Sequence, residues 1–435
     1  MRIHPALLMV LVWTVCIAAF YLLPFQLVGR TMTTYGFLVL ALFIGTFCIG
    51  ALIRPRFARI SVPSGPVTAP DLTWTDRVLM GVIGFALIMM MIEFYNGEYL
   101  ELSDSYESRS ARAQALLYAQ ESESTIYFQL AFLTYPAAFV WLIRDIVFRP
   151  RFNVVTLGIF GLLPITLASL VMGGRGPLLY GLVILMIGYG ARRAYRERAA
   201  LPKRRRLTVR QFAILASGAV MMLVAMNYFV EVFIVRASAA GGVDQMMMLA
   251  AIVWGVDFQG YGANTVRAVI GDGNTYLIFV FIWYLVQGLV MSNIIFTDFS
   301  GDPSLGIYGI DLASAVMRRV DGSFVAERFT ALLDLNVYGF LPSAFGSVYV
   351  DFLWFGLLPI FAWGYFTSYT YWKVRSSDDA RWFLFAPLVT SGIVFSLINT
   401  PIGFGNGFII HIWFAVALIF ARNPGARRPA APALA

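Results

Sequence analysis

Charged residues at the edges of long apolar runs are the first candidates for chemistry in this chain. One is Arg175, in the turn Gly173–Pro177 between two closely spaced apolar segments. The glycines allow a sharp turn with exposed amides, and a planar guanidinium can bind a phosphate through two hydrogen bonds. The alternative is an arginine that only extends from the turn to a polar surface.

A second candidate is Arg236, which follows Glu231 by five residues. In a helix this spacing is about 7 Å along the axis. The two side chains therefore either form an ion pair with each other, or Arg236 binds a ligand while Glu231 orients it.

A third group is basic and contains Arg318, Arg319 and Arg328, with Glu327 and Asp334 nearby. These arginines stand in a segment whose surroundings are mostly acidic. The pattern indicates either ion pairs within the segment or a site for an anionic ligand.

The fourth candidate is the segment Phe340–Phe352, which carries Tyr349 and Asp351 and leads into an apolar run. A carboxylate here could act as a general base. The alternative is an acid at a helix N-terminus, where the helix dipole stabilises negative charge. The small residues in this segment allow close helix packing.

The composition shows which elements must position these residues. The chain is 59% hydrophobic and only 13% charged, whereas soluble domains are about a quarter charged. It has two cysteines and two histidines; the histidines, His4 and His411, stand far apart in the sequence. These numbers exclude a disulfide scaffold and a cysteine-ligated metal cluster, and they argue against a histidine-based metal or triad site.

The apolar runs predict an all-α polytopic membrane protein with ten to twelve transmembrane helices. A span needs about 20 apolar residues to cross a core of roughly 30 Å. We predict spans at Ala6–Leu23, Tyr35–Ile53, Val78–Phe94, Ile126–Ile143, Val154–Met172, Pro177–Ala191, Phe212–Val235, Phe352–Trp372, Trp382–Ile398 and Phe408–Ala421. Two weaker segments, Met246–Val256 and Tyr276–Val290, either cross as a pair or re-enter from one side. The first run lacks a small-residue cleavage site and is expected to be a retained helix.

The distribution of charge predicts the orientation. With both termini in the cytoplasm, the cytoplasmic segments are the N-terminus, 54–77, 144–152, 192–210, 373–381 and the tail. They hold 23 of the 32 Lys and Arg residues and have a net charge of +17, against −9 for the rest. This asymmetry matches the positive-inside rule. Residues 1–421 then form one membrane domain, with periplasmic loops at about 95–125 and 236–345 and a disordered tail at 422–435.

The basic loop 192–210 is one place where nucleic acid could bind, because Lys203, Arg204, Arg205 and Arg206 stand in a row. A cytoplasmic anchor facing anionic lipid headgroups is the better interpretation. We therefore expect the lipid bilayer, and no nucleic acid, as a partner of this loop.

The order of these features resembles the O-antigen polymerase (Wzy-type oligosaccharide repeat-unit polymerase) family. The features are Gly174-Arg175-Gly176 after the fifth span, a basic loop after the sixth, an arginine closing the seventh, a long outer loop and the segment Pro342–Phe352. The resemblance covers roughly residues 126–420. Many members carry an acid after the glycine of the late motif, where this chain has Ser347. That departure leaves Asp351 and Glu327 as the candidate local carboxylates.

The resemblance implies a glycosyltransferase of the bacterial inner membrane that acts at the periplasmic face without a metal or other cofactor. It would transfer a growing glycan from undecaprenyl pyrophosphate to a new lipid-linked repeat unit. Its partners would be this lipid-linked oligosaccharide and a polysaccharide co-polymerase that regulates chain length. The implied roles are pyrophosphate binding by Arg175, Arg236, Arg328 and Arg319, general base catalysis by Asp351 or Glu327, and glycan contacts by Tyr349 and Arg112.

Two alternative functions share the layout. An O-antigen ligase resembles the polymerase, but that family uses a histidine in the large periplasmic loop, where this chain has none. A flippase or transporter of lipid-linked oligosaccharides would be expected to show internal repeats. No repeat is visible, and Glu93 and Glu231 are the acids within spans that could serve a proton-coupled carrier.

Overall fold

The computed structural model describes residues 3–27, 32–56, 66–96, 125–150, 153–172, 176–201, 230, 241–337, 341–403 and 406–423. Within these residues the chain is almost entirely helical, and one short antiparallel pair of strands joins β1 (Gln26–Leu27) to β2 (Val256–Asp257). The predicted span Phe212–Val235 and most of the predicted tail lie outside the described residues. So do Arg112, Arg175 and Arg236.

The helices of the first half follow the predicted apolar runs. They are α1 (Pro5–Tyr21), α2 (Thr34–Leu52), α3 (Thr73–Asn96), α4 (Ile126–Thr134), α5 (Ala137–Phe148), α6 (Val154–Val171, with a π-helical turn at Gly158–Leu162) and α7 (Gly176–Arg198). The run predicted as one span from Ile126 thus forms two helices, α4 and α5.

The second half contains both long and short helices. They are α8 (Val243–Trp254), α9 (Tyr261–Asp298), α10 (Asp311–Val320), α11 (Gly322–Asp334), α12 (Ser343–Phe352), α13 (Leu357–Ser376), α14 (Trp382–Phe395) and α15 (Gly407–Phe420). Between α12 and α13 the backbone breaks at Leu353, which has φ 50° and ψ −132°. The predicted span at Phe352–Trp372 is therefore the second part of a discontinuous helix.

The lengths and compositions of these helices show a membrane-embedded protein. In the described part, six helical segments are long and apolar enough to cross a bilayer. They are Thr34–Leu52, Thr73–Asn96, Ile126–Phe148, Val154–Val171, Tyr261–Asp298 and Ser343–Ser376. α1, α14 and α15 are apolar but shorter. The predicted all-α membrane fold is confirmed at this level.

Several predicted cytoplasmic segments meet at one end of the bundle, which we call the basic end. The Val67 amide donates to the Arg198 carbonyl (3.1 Å), and Arg198 Nη2 lies 3.9 Å from Asp378 Oδ1. Arg381 Nη1 donates to the Ala421 carbonyl (3.1 Å). These contacts join segments that are distant in sequence and share a basic composition.

The opposite end, which we call the loop end, is formed by the connections 24–33, 299–310 and 396–406 in their described parts. Both ends of α9 contact the first of these connections. Gly262 packs directly against the Pro24 backbone, and Thr33 Oγ1 donates to Asn293 Oδ1 (2.9 Å). We infer that α9, which is kinked at Gly271, enters and leaves on the same side of the bundle.

Candidate functional site

The loop between α9 and α10 is held in place by one buried carboxylate. Asp351 is 2% exposed. Its Oδ1 accepts from Ser304 Oγ (2.6 Å) and from the amides of Gly306 and Tyr308 (3.0 Å each), and its Oδ2 accepts from the Gly309 amide (2.9 Å). Amides that converge on one anion in this way form a fixed cradle. The conformation of residues 304–309 is therefore set by Asp351.

The same loop packs backbone to backbone against the connection between α14 and α15. A Cβ atom on Gly403 would lie 2.1 Å from the Gly309 carbonyl oxygen, and one on Gly309 would lie 2.5 Å from Asp351 Oδ2. Only glycine fits at these two positions without moving the loop. Thr400 Oγ1 also donates to the Gly309 carbonyl (3.4 Å). The two loops thus form one unit.

We infer that the connection between α14 and α15 lies below the membrane surface, because both helices are short. Each has 14 residues, or about 21 Å at 1.5 Å per residue, against roughly 30 Å for the hydrocarbon core. Ser396, which follows α14, accepts a hydrogen bond from Trp13 Nε1 (3.0 Å), and Trp13 is the central residue of α1. Irregular backbone at such depth is tolerated where protein buries it or where it lines a cavity.

The break between α4 and α5 lies beside the start of α15. Pro136 has no amide hydrogen, so the Phe132 carbonyl loses its helical donor. Asn406 Nδ2 replaces that donor at 2.5 Å, and Trp413 Nε1 donates to the neighbouring Leu133 carbonyl (2.8 Å). The last helix of the chain thereby fixes the position of the buried Tyr135 at this break.

Asp311 stands two residues after Gly309 and begins α10. Its side chain reaches solvent, yet surrounding protein atoms reduce its hydration and raise the pKa of this carboxyl to about 6. Its charge interacts with Tyr135 across the loop end. In the described part of the chain, its carboxylate has no hydrogen bond or ion pair. We call Asp311, Tyr135, Asp351 and the loops 304–309 and 400–403 the loop-end site.

A polar stripe leads from Asp311 along α10. Asp311, Ser314 and Arg318 follow the i, i+3, i+7 spacing of one helix face. Arg318 Nε donates to Ser314 Oγ (3.3 Å), and its guanidinium stacks on the Phe329 ring at 5.8 Å. The Arg318 head group is thus about 10 Å along the helix from the free carboxylate. Arg319, on an adjacent face, is exposed.

The structure gives the other basic residue of this region a partner. Arg328 forms an ion pair with Asp302 (Nη1 to Oδ2, 2.7 Å) and stacks on Phe324 at 5.0 Å. The sequence left two interpretations of this arginine group, ion pairs or a site for an anionic ligand. For Arg328 the structure shows the ion pair. Arg319, which is exposed, is the predicted arginine best placed to meet an anionic ligand.

The two carboxylates predicted as bases occupy different environments. Asp351 has both oxygens engaged by internal donors and lies in the last turn of α12, not at a helix N-terminus. It organises the loop, and this geometry gives no support to its predicted role as general base. Glu327 is exposed on α11. Asp311, by contrast with Asp351, is exposed, and it follows directly on the loop 304–309.

Tyr349, predicted to contact glycan, is a core residue. It is 7% exposed. Its ring packs against Phe296, Trp354 and Phe43, with centroid distances of 5.3, 5.6 and 6.3 Å. The aromatic cluster accounts for its position, and the geometry does not support a glycan contact.

Sequence reasoning missed Asp311 and Tyr135. Asp311 follows the turn-forming stretch Asp302–Gly309 and begins an amphipathic segment, which is a local signal for an acid presented at a loop. Tyr135 precedes Pro136 inside an apolar run, and a proline there signals a broken helix. In the described part, no group of three or more His, Cys, Asp or Glu side chains could hold a metal ion.

No family model, no curated protein and no solved structure matches this chain.

Proposed function

We propose that this protein polymerises oligosaccharide repeat units linked to undecaprenyl pyrophosphate, at the periplasmic face of a bacterial inner membrane. The observation that carries the proposal is Asp311, an exposed carboxylate at the edge of the loop 304–309 with no hydrogen bond or ion pair among the described residues, on the same short helix as two arginines. A lipid pyrophosphate presents its charge at the headgroup level, where arginines can bind it. The sugar that follows it would extend over the loop-end site.

The orientation in this proposal follows from the two ends of the bundle. The basic end gathers segments rich in Lys and Arg, which the positive-inside rule assigns to the cytoplasm. The loop end, on the other side, then faces the periplasm. A reporter fused after Asn423 would show the cytoplasmic side under this assignment, and a periplasmic signal there would contradict it.

The reaction needs three groups. A hydroxyl oxygen of the acceptor sugar attacks the anomeric carbon of the donor glycan, and the bond from that carbon to the pyrophosphate oxygen breaks. The electron pair leaves with the pyrophosphate, whose developing charge arginine side chains stabilise. A carboxylate accepts the hydroxyl proton. Asp311 and Arg319 in the described part, together with Arg175 and Arg236, have the chemistry these steps require.

The competing functions make different demands. An O-antigen ligase would require a histidine at the loop end. His411 instead lies in α15, where its Nδ1 is 2.7 Å from the Gly407 carbonyl oxygen. A proton-coupled flippase calls for an accessible acid within a span. Glu93 is buried at the end of α3 and accepts a hydrogen bond from Thr125. These positions favour chemistry at the loop end.

The direct test is polymerisation in liposomes. Purified protein is supplied with an undecaprenyl-pyrophosphate-linked repeat unit and no nucleotide sugar, and the lipid-linked products are separated by size. We expect a ladder of lengthening products. Movement of unchanged substrate across the bilayer without a ladder would replace the proposal with transport. Transfer to a lipid A–core acceptor without a ladder would replace it with ligation.

Two arginines outside the described residues complete this test. Arg175→Ala and Arg236→Ala should each shorten or abolish the ladder at normal protein level, because each removes a charge that binds pyrophosphate. The matched control is Arg193→Ala, an arginine of the basic end whose side chain is 71% exposed. Full-length polymer from both variants would refute the pyrophosphate assignment.

A further inference from the structure

We propose that Asp311 is the general base of the loop-end site and that Asp351 is the positioning residue that holds it in place through the loop 304–309. This inference rests on the proposed function and names the residue that carries its proton transfer. It replaces the two bases predicted from the sequence, Asp351 and Glu327.

The first argument is the availability of the carboxylate. A base must offer an oxygen within hydrogen-bond reach of the substrate hydroxyl. Asp351 offers none, because four internal donors surround it. Asp311 reaches solvent, and its side chain forms no hydrogen bond or ion pair with the described residues. It is therefore free to accept a proton from a bound sugar.

The second argument is position. Asp311 follows directly on the loop 304–309, which Asp351 fixes. Gly403 and Thr400 contact the same loop at Gly309. This loop covers the connection between the two short helices α14 and α15, where irregular backbone lies at membrane depth. A lipid-linked sugar extending from the headgroup level would meet Asp311 at the edge of that loop.

The third argument is proton affinity. A general base works best when its pKa lies near the operating pH, and reduced hydration raises the pKa of Asp311 to about 6. Tyr135, at the break between α4 and α5, interacts with its charge across the loop end, and the head group of Arg318 lies about 10 Å away along the same helix. Tyr135 is neutral at pH 7, so the carboxylate is the group that titrates in this range.

The step balances as follows. The acceptor hydroxyl gives its proton to an Asp311 oxygen as its own oxygen bonds to the anomeric carbon. The bond from that carbon to the pyrophosphate breaks, and the pyrophosphate carries away the electron pair. Asp311 then releases the proton to water at the loop end, which restores the carboxylate for the next addition.

The experiment compares Asp311→Asn with the competing variant Glu327→Gln and the matched control Asp334→Asn, an exposed acid at the end of α11. Asp311→Asn should lower kcat by about 100-fold or more while binding of the lipid-linked repeat changes less than about threefold, because binding energy here comes from the pyrophosphate. Asp334→Asn should polymerise at the wild-type rate. A wild-type rate for Asp311→Asn, or a large loss for Glu327→Gln alone, overturns the inference.

The positioning role has its own readout. The pH dependence of wild-type kcat/KM should rise with a midpoint near 6, because the base must be unprotonated. In Asp351→Asn the amide cannot accept from the Gly309 amide as the carboxylate did, so the loop shifts and this midpoint should move, with kcat falling more than KM changes. Asp351→Glu should restore part of kcat. An unchanged midpoint in Asp351→Asn would leave Asp351 a purely structural residue and overturn this half of the proposal.

The two proposals fail in different ways. If wild-type protein makes no ladder from lipid-linked repeats, the proposed function fails, and the assignment of Asp311 as its general base fails with it. If wild-type protein makes a ladder and Asp311→Asn makes the same ladder at the same rate, the function stands and the assignment of the base fails.

Discussion

The buried carboxylates at the two ends of this bundle have different kinds of partner. At the basic end, Asp145 lies 2.6 Å from both Arg144 Nη1 and Arg149 Nε, and Arg144 also pairs with Asp76. At the loop end, the exposed Asp302 pairs with Arg328, but the buried Asp351 is held by three amides and a hydroxyl. The buried carboxylate of the basic end is therefore neutralised by charged side chains, and that of the loop end by neutral dipoles.

This difference shows two ways of fixing a buried acid. Asp145 is held by the guanidinium groups of Arg144 and Arg149, so its partners carry the opposite charge. Asp351 is held by three amides and a hydroxyl, so its position is set by dipoles. The first arrangement depends on charged side chains, whereas the second depends on the conformation of the loop 304–309.

The largest effect should come from breaking the basic end. Arg144→Met removes the arginine paired with the half-buried Asp76 and one of the two arginines paired with the buried Asp145, which keeps Arg149. Breaking such a buried pair costs about 3–5 kcal/mol, so we expect a large loss of folded protein in detergent, measured by thermal unfolding. Arg193→Met, which removes an exposed arginine paired with Glu197 at 3.5 Å, should cost no more than about 1 kcal/mol. Equal stability of the two variants would contradict the role of the buried network.

The second-largest effect should come from a variant at the loop end that lowers activity while the protein still folds. Gly403→Ala places a methyl group 2.1 Å from the Gly309 carbonyl, so the two loops must move apart at a cost of about 1–3 kcal/mol. We expect polymerisation to fall at least tenfold while the protein still purifies. Gly190→Ala is the matched control, because nothing lies within 4 Å of its added methyl group. Normal polymerisation by Gly403→Ala would show that the contact between the loops does not position the site.

The smallest effect concerns Asp311 alone. Because its pKa is raised to about 6 in the folded protein, above that of an unfolded aspartate at about 3.9, the folded state binds more protons between these values. The contribution of Asp311 to the free energy of unfolding is therefore greatest below about pH 4, and it decreases as the pH rises to about 6. Asp311→Asn removes this loss, so the variant should unfold at a Tm roughly 2 °C higher than wild type at pH 8. At pH 4 the two should unfold together, and a lower Tm for the variant at pH 8 would show that the charge is stabilising.

The helices were predictable from sequence because each depends on local composition. An apolar run long enough to cross a bilayer must form a helix there, since lipid offers its backbone no other partner. The run at Thr34–Leu52 illustrates this agreement. Leu353 illustrates the limit: a leucine with positive φ carries no local signal, and the break arises because the chain must turn between α12 and α13.

The site was only partly predictable because its contacts join distant segments. Asp351 was identified from its motif, but its donors at Ser304–Gly309 lie more than 40 residues away. No local pattern shows that four donors will converge on it and exclude a substrate. Likewise, Asp311 acquires its raised pKa from the protein atoms that surround it in the folded chain and reduce its hydration.

The repair of the proline break by the last helix has a consequence for biosynthesis. α4 and α5 precede α15 in the chain, so the Phe132 carbonyl gains this donor only after Asn406, 274 residues later, has been synthesised. The break between α4 and α5 is therefore completed by a distant and later part of the sequence. In a product truncated before residue 406, both replacement donors would be missing and we expect the position of Tyr135 to be unfixed.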